Sequence, residues 1–330
     1  MQSNKERDLG LFTEICSPFM NRKFISWSIF IILCIIWGSS FKLMKDSTAG
    51  LDSIQIAALR IFSAGLIFLP FAFFHVGKIS RKKIGLVVLS AVFGNLLPAF
   101  LFAEAMTKID GSLGGILNSL TPICVVLIGT LAFRDKISSQ KIWGVLTGFL
   151  GLVLLTLLPA LGGEKNISFD NLGYTLLIFL ATVLYGINVN MVSHYLKGIN
   201  PIQLATVSLA AMTIPTGLIL LWRHFFELNF ADQVVRDSVL ATIGLGVLGS
   251  AIATALFYVL VQRAGGLFAS LVTYGIPFVA LIWGVFDREN ISLLKIICLA
   301  IILFGVYLAN RPEKRTGESK DPSVEALLEN

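Results

Sequence analysis

Ten apolar stretches of about 20 residues each run through the chain between residues 24 and 310. A helix rises 1.5 Å per residue, so each stretch is long enough to cross the ~30 Å hydrocarbon layer of a bilayer. Backbone polar groups must be paired in lipid, and continuous apolar runs do not fit the alternating strands of a membrane barrel. The sequence therefore predicts an all-α membrane protein. Its ten expected transmembrane helices are 24–44, 53–75, 84–105, 112–133, 141–160, 172–192, 201–222, 238–260, 266–286 and 291–310.

The distribution of charge predicts how the helices are oriented. Charged residues make up only 14% of the chain, against about 25% in soluble domains. With a cytoplasmic N-terminus, 17 of the 26 Lys and Arg fall in cytoplasmic segments, 7 on the outer side and 2 inside helices. Because basic residues favour cytoplasmic loops, we expect a multi-pass protein of the cytoplasmic (inner) membrane with both termini inside. The same bias accounts for the pI near 9.2, so no nucleic-acid partner is expected.

The second five helices repeat the first five. Trp37-Gly38 corresponds to Tyr185-Gly186 at an offset of 148 residues, and Pro122 corresponds to Pro277 at an offset of 155. Because five crossings are an odd number, the second unit must enter the membrane inverted, as in many secondary transporters whose substrate binds near the midplane. The predicted divisions are an N-terminal cytoplasmic tail, a first repeat, an outer loop, a second repeat and a C-terminal cytoplasmic tail. These segments are 1–23, 24–160, 161–171, 172–310 and 311–330.

Several motifs occur in the order and spacing of a known family. They are Trp37-Gly38-Ser39-Ser40-Phe41, Leu59-Arg60, a stretch from Phe102 through Pro122 to Ser138, and a stretch from Phe257 through Pro277 to Ser292. On these motifs the chain resembles the EamA-type branch of the drug/metabolite transporter superfamily over about residues 25–310. The resemblance implies export or exchange of small metabolites. In the family a glycine-glutamate pair usually closes helices 4 and 9, whereas here Arg134-Asp135 and Arg288-Glu289 stand there.

Three ionisable residues, Lys42, Arg60 and Glu104, lie inside predicted helices. A charge at the bilayer centre costs at least ~2.5 kcal/mol, so it usually faces a cavity or a partner. Counting along the helices places all three within roughly 10 Å of the outer surface, where Glu104 could bind a proton or an amine and Arg60 or Lys42 a carboxylate. The alternative is that Arg60 and Glu104 form an ion pair between helices, while Lys42 extends to the interface.

Neutral polar and aromatic residues form a second set of binding candidates. Pro122 and Pro277 each remove a backbone donor, so we expect both to break or kink their helices at a central cavity; each is alternatively a simple packing kink. Trp37 is a candidate hydrophobic gate. The remaining candidates are Asn118, Ser119, Tyr185, Asn188, Tyr258, Thr273 and Tyr274.

No enzyme signature accompanies these residues. The sequence has no His-Glu-x-x-His metal helix, no Gly-x-Ser-x-Gly elbow and no phosphate-binding Gly-x-x-x-x-Gly-Lys loop. We therefore expect no metal, no cofactor and no enzymatic activity. The expected substrate is a small polar metabolite such as an amino acid, and membrane lipid and protons are further candidate partners. Two alternatives stay open: a membrane enzyme acting on lipid precursors, and an assembly subunit that transports nothing. The sequence leaves the oligomeric state open.

Cysteine labelling tests the predicted topology. A single cysteine placed at position 164 should react with an impermeant thiol reagent added outside intact cells, while one at position 78 should react only after permeabilisation. A background in which the four natural cysteines are replaced serves as the control. Labelling of position 78 from outside would overturn the topology.

Overall fold

The computed structural model describes residues 2–134, 139–161, 170–257, 259–260, 263 and 272–310, with side chains at 24–134, 139–140, 142–155, 172–257, 259–260, 263 and 272–308. Within this part of the chain there are ten long helices, one short 3-10 helix at Phe225–Glu227 and no strand. The helices are α1 (Gln2–Ser47), α2 (Ser53–Val76), α3 (Arg81–Met106), α4 (Gly111–Phe133), α5 (Ser139–Leu161), α6 (Asp170–Tyr195), α7 (Pro201–Trp222), α8 (Gln233–Phe257), α9 (Val272–Phe286) and α10 (Leu293–Asn310). Helix α1 begins at Gln2, inside the segment predicted as a tail.

Four of the helices depart from regular α geometry inside their spans. Helix α3 contains a π segment at Val92–Leu96, and α8 contains one at Leu245–Ile252. Helix α4 is interrupted between Asn118 and Thr121, and α7 between Ala211 and Thr213. The two π segments lie about 155 residues apart, the offset of the sequence repeat. Because π turns often mark functional sites, these paired segments direct attention to the helices packed against them.

The packing of the ten helices follows a pseudo-twofold arrangement. Helix α1 packs on α9, and its counterpart α6 packs on α4; likewise α1 contacts α8, and α6 contacts α3. Three contacts join a helix to its own counterpart, namely α2 with α7, α4 with α9 and α5 with α10. All of these contacts join a helix of one repeat to a helix of the other. Other contacts, such as that of α2 with α3, lie between neighbouring helices of one repeat.

Helices α5 and α10 meet through glycines. A Cβ added at Gly305 would lie 2.7 Å from the carbonyl oxygen of Gly144 and 2.7 Å from Cα of Gly148, so these small residues let the two helices approach closely. The glycines of α8 do not all share one face. Gly246 and Gly249 lie against neighbouring helices, but nothing comes within 4 Å of a Cβ added at Gly244, because that residue lies on another side of the helix.

Helices α4 and α9 end on residues in the left-handed backbone conformation. Arg134 has φ 58° and Arg288 has φ 55°, and the two are related by the sequence repeat. Left-handed geometry places the Cβ of an ordinary residue too close to the following carbonyl, which glycine avoids. This explains why the family pattern has glycine at these two positions, and it indicates that each arginine is held in a strained conformation.

Relief of that strain is measurable at Arg288. We expect Arg288→Gly to raise the free energy of unfolding by about 0.5–1 kcal/mol, because glycine adopts positive φ without penalty. The matched control is Arg236→Gly, at an exposed position inside α8, where glycine should lower stability by about 1 kcal/mol. Thermal unfolding of the purified protein in detergent compares the two. A lower unfolding midpoint for Arg288→Gly would contradict the assignment of strain.

Candidate functional site

Two side chains from the first repeat are anchored to consecutive residues of the α8 π segment. Trp37 Nε1 donates a hydrogen bond to the carbonyl oxygen of Gly249 at 2.9 Å, and Arg60 Nε donates to Ser250 Oγ at 3.1 Å. Helices α1 and α2 thus meet α8 at one place. We call the space around Trp37, Arg60, Tyr185, Ser250 and Phe257 the central niche.

The central niche lies near the middle of the helix bundle. Trp37 is ten residues before the end of α1 at Ser47, which at 1.5 Å per residue is about 15 Å, half of a ~30 Å hydrocarbon layer. We call the end of the bundle where α1 ends and α2 begins the distal end. The predicted topology makes it the outer one.

Two pairs of aromatic rings contribute to the niche. The ring of Trp37 lies 5.4 Å from that of Phe257, and the ring of Tyr185 lies 6.2 Å from that of Phe102. The Arg60 charge and the Tyr185 side chain interact electrostatically across the niche. Both side chains are surrounded by protein, yet each keeps part of its surface accessible. That combination is expected of groups that line an internal cavity.

A second niche stands at the symmetry-related place. Gly94, in the π segment of α3, lies against the side chain of Asn188 from α6, and Ser90 Oγ donates to Asn188 Oδ1 at 2.7 Å. The counterparts of Gly94 and Asn188 are Gly249 and Ser40, and they too are in contact. Both π segments therefore use a glycine to bring a polar residue of α1 or α6 close to the backbone.

The three charged candidates do not converge. Glu104 Oε2 accepts a hydrogen bond from Ser53 Oγ at 2.5 Å, which places it level with the first residue of α2. Arg60 lies seven residues further along α2, or about 10 Å deeper, and it forms no ion pair with Glu104. The alternative of an Arg60–Glu104 ion pair is therefore not observed.

Lys42 belongs to a separate group at the distal end. Its Nζ lies 2.7 Å from Asp46 Oδ1 and 2.9 Å from Asp287 Oδ1, and 21% of its side chain is exposed. Lys42 therefore does not simply extend to the interface. It forms one ion pair within α1 and a second with the residue that follows α9. These pairs hold Lys42 away from the central niche.

The two prolines are both buried but differ in backbone context. Pro122 follows the interruption of α4 directly, whereas α9 runs without a break through Pro277. Ser119 is buried in the α4 interruption, where its Oγ donates to the carbonyl oxygen of Ile116 at 2.6 Å, and Asn118 beside it is half-buried. A helix break at Pro277 is thus not observed.

The remaining candidates lie in the first turn of α9 or outside the described residues. Thr273 and Tyr274 are half-buried in the first turn of α9 as the structure describes it. Tyr258 lies outside the described residues. Across the described residues, no group of three or more His, Cys, Asp or Glu side chains is placed to hold a metal ion.

Side chains of α1 and α9 close the distal end against the α3–α4 turn. Glu289 accepts hydrogen bonds from the backbone amides of Gly111 at 2.8 Å and Ser112 at 3.1 Å, which are orphan donors at the start of α4 and favour a negative charge. Lys45 Nζ donates to two carbonyl oxygens in the α3–α4 turn, each at 3.0 Å. We call these contacts of Glu289 and Lys45 the distal brace.

An ion pair between the starts of α10 and α4 lies beside the distal brace. Lys295 Nζ, at the start of α10, lies 3.2 Å from Asp110 Oδ2, at the start of α4. Reasoning from the sequence missed these distal partners and Ser250. Two signals were available: the acidic residue of the family pattern after α9, and a serine inside the apolar run of α8 at the repeat offset from Asn95.

Comparison with known proteins decides the family. The model of the EamA-like transporter family matches residues 25–157 and again residues 172–311. The chain belongs to the EamA-like transporter family. Two matched units in one chain agree with the pseudo-twofold packing of the ten helices. The two polar niches and the distal brace are thus features of an EamA-type membrane transporter.

Relatives of this chain occur in plants, archaea and bacteria. A chloroplastic WAT1-related protein of Arabidopsis thaliana is 25% identical over 88% of this chain and 70% of its own length. An uncharacterized transporter of Archaeoglobus fulgidus is 24% identical over 86% of this chain and 98% of its own length. One crystal structure has a TM-score of 0.57 at 18% identity, covering 86% of this chain and 96% of that chain, and supports the fold alone.

Proposed function

We propose that the protein is a secondary transporter of the cytoplasmic membrane that exports small polar metabolites, such as amino acids, by alternating access. The observation that carries the proposal is the central niche, where a charged and a polar group of different repeats meet near mid-membrane. Charged groups at that depth usually serve a substrate or ion path. Membership of a transporter family supports the same conclusion.

The helix packing supplies two groups that can move against each other. Helices α1, α8 and α9 pack together, and their counterparts α6, α3 and α4 pack together. Each group combines helices of both repeats, and the central niche lies where the groups face one another. Rocking of one group against the other would open the niche alternately to the two sides of the membrane.

The distal brace joins these two groups at one end. Glu289 and Lys45 belong to the α1 group, and the backbone groups that they bond belong to the α3–α4 turn of the other. Hydrogen bonds to charged groups contribute about 1.5–3 kcal/mol each, a range that substrate binding can offset in a two-state equilibrium. In this conformation the distal end is therefore closed by contacts that can open.

The corresponding positions at the other end favour loading from the cytoplasm. Under the sequence repeat, Lys45 corresponds to Ser193 and Asp110 to Gly265, so two of the charged residues at the distal end have no charged counterpart. A stronger closure at the outer end leaves the resting protein open to the inner end. This asymmetry supports export rather than uptake.

Flux from liposomes tests the proposal. Proteoliposomes loaded with the small-molecule fraction of a cell extract should release a subset of its metabolites faster than protein-free liposomes, as followed by mass spectrometry. A protein that releases nothing beyond the protein-free background would instead support the alternative of an assembly subunit. Conversion of a lipid precursor in the same vesicles would support the enzyme alternative.

We further propose that Glu104 carries the coupling proton. Glu104→Gln should reduce flux per folded molecule and weaken its dependence on the pH outside, because the amide can still accept the Ser53 hydrogen bond but cannot be protonated. The matched control is Ser53→Ala, which removes that hydrogen bond and keeps the carboxyl group, so it should retain the pH dependence. Unchanged specific flux and unchanged pH dependence in Glu104→Gln would exclude Glu104 from coupling.

A further inference from the structure

In the part of the chain that the structure describes, the guanidinium of Arg60 has no anionic partner. Within the described residues, its one hydrogen bond to protein is the bond from Nε to Ser250 Oγ, and no Asp or Glu side chain forms an ion pair with it. Lys42, Lys45 and Lys295, by contrast, pair with acids or carbonyl oxygens at the distal end. A buried, uncompensated charge is costly unless something pairs with it.

The scaffold itself does not require this cation. Ser208 occupies the position of Arg60 in the second repeat, at the offset of 148, and it is buried with its Oγ donating to the carbonyl of Ala205 at 3.1 Å. The corresponding helix, α7, therefore packs in the symmetry-related position with a small neutral side chain. Arg60 is a feature of one niche and not of the fold.

The hydrogen bond to Ser250 determines which edge of the guanidinium stays open. With Nε engaged, the two Nη groups remain as a planar pair of donors, the geometry that matches the two oxygens of a carboxylate. The ring of Trp37 is bonded to Gly249, next to Ser250 in the chain, and packs on the ring of Phe257. Apolar side chains therefore lie beside the place where Arg60 is held, and a setting of low polarity strengthens an ionic hydrogen bond relative to one in solvent. The niche thus presents a fork of donors with apolar walls.

We propose that Arg60 binds the carboxylate of the transported solute, so that the substrates are small organic acids with one negative charge at the bound end. This inference rests on the proposed transport function and names its substrate class. One cation matches one carboxylate, whereas a phosphate dianion or a diphosphate requires further basic groups. None stands beside Arg60 in the described part of the niche.

The closing experiment compares export by the wild type and by Arg60→Gln. Cells producing equal amounts of folded protein are profiled for solutes that accumulate in the medium. Wild-type cells should export carboxylate-bearing solutes, and their export should fall at least about tenfold in Arg60→Gln, as expected for the loss of a charge-assisted hydrogen bond. Arg60→Lys, which keeps the charge and loses the fork, should export at an intermediate rate and serves if Arg60→Gln folds poorly. Arg236→Gln, at an exposed site in α8, is the matched control and should export as the wild type does.

The most strongly exported solute is then compared with its primary amide in proteoliposomes. The carboxylate should be transported, and the amide, which lacks the negative charge, should not. Export by the wild type of solutes that carry no carboxylate, or equal export of carboxylates by Arg60→Gln, would overturn the assignment of Arg60 while leaving the transport function in place. Absence of any protein-dependent efflux overturns the transport function, and this inference falls with it.

Discussion

An odd number of membrane crossings in each repeat governs the rest of this structure. Five helices bring the chain to the opposite side, so the second unit must pack against the first in inverted orientation. The result is the exchange seen in the packing, in which α1 associates with α9 and α6 with α4. The two ends of the bundle become equivalent in backbone, and functional direction can come only from side chains that differ between the repeats.

Those differences are concentrated at a few positions. Arg60 corresponds to Ser208, and Lys45 corresponds to Ser193. The first difference puts a single cation into one of two matched niches, and the second adds a closing contact at one of two matched ends. The backbone supplies a symmetric pathway, while these substitutions supply a binding site and a preferred closed side. An asymmetric function is thereby built on a symmetric scaffold.

Patterns that depend on local spacing were predictable from the sequence, and contacts between distant segments were not. Continuous apolar length predicted the ten helices, and the offset of 148 residues predicted that Trp37 and Tyr185 occupy related places. The partner of Arg60 was not predictable, because depth counted along separate helices cannot show which faces meet. Glu104 lies level with Ser53, about 10 Å along α2 from Arg60, so two charges expected in the same outer layer of the membrane do not meet.

The distal brace was hidden for a different reason. Glu289 acts on backbone amides of α4, and backbone donors have no sequence signature of their own. The acid of the family pattern gave the available hint, since an acidic side chain is stabilised at a helix N-terminus. Its strained neighbour Arg288 likewise became meaningful only once the backbone conformation was known.

A reversible cross-link at the distal end tests most directly whether the two helix groups must separate there during transport. Cysteines at Lys45 and Lys108, joined by a reducible bifunctional reagent, connect α1 to the α3–α4 turn across the brace. Cysteines at Lys42 and Asp287, whose side chains form an ion pair within one group, are the matched control. The account predicts that the first cross-link stops flux until it is reduced, while the second leaves flux unchanged. Undiminished flux through the protein cross-linked between Lys45 and Lys108 would contradict alternating access by these groups.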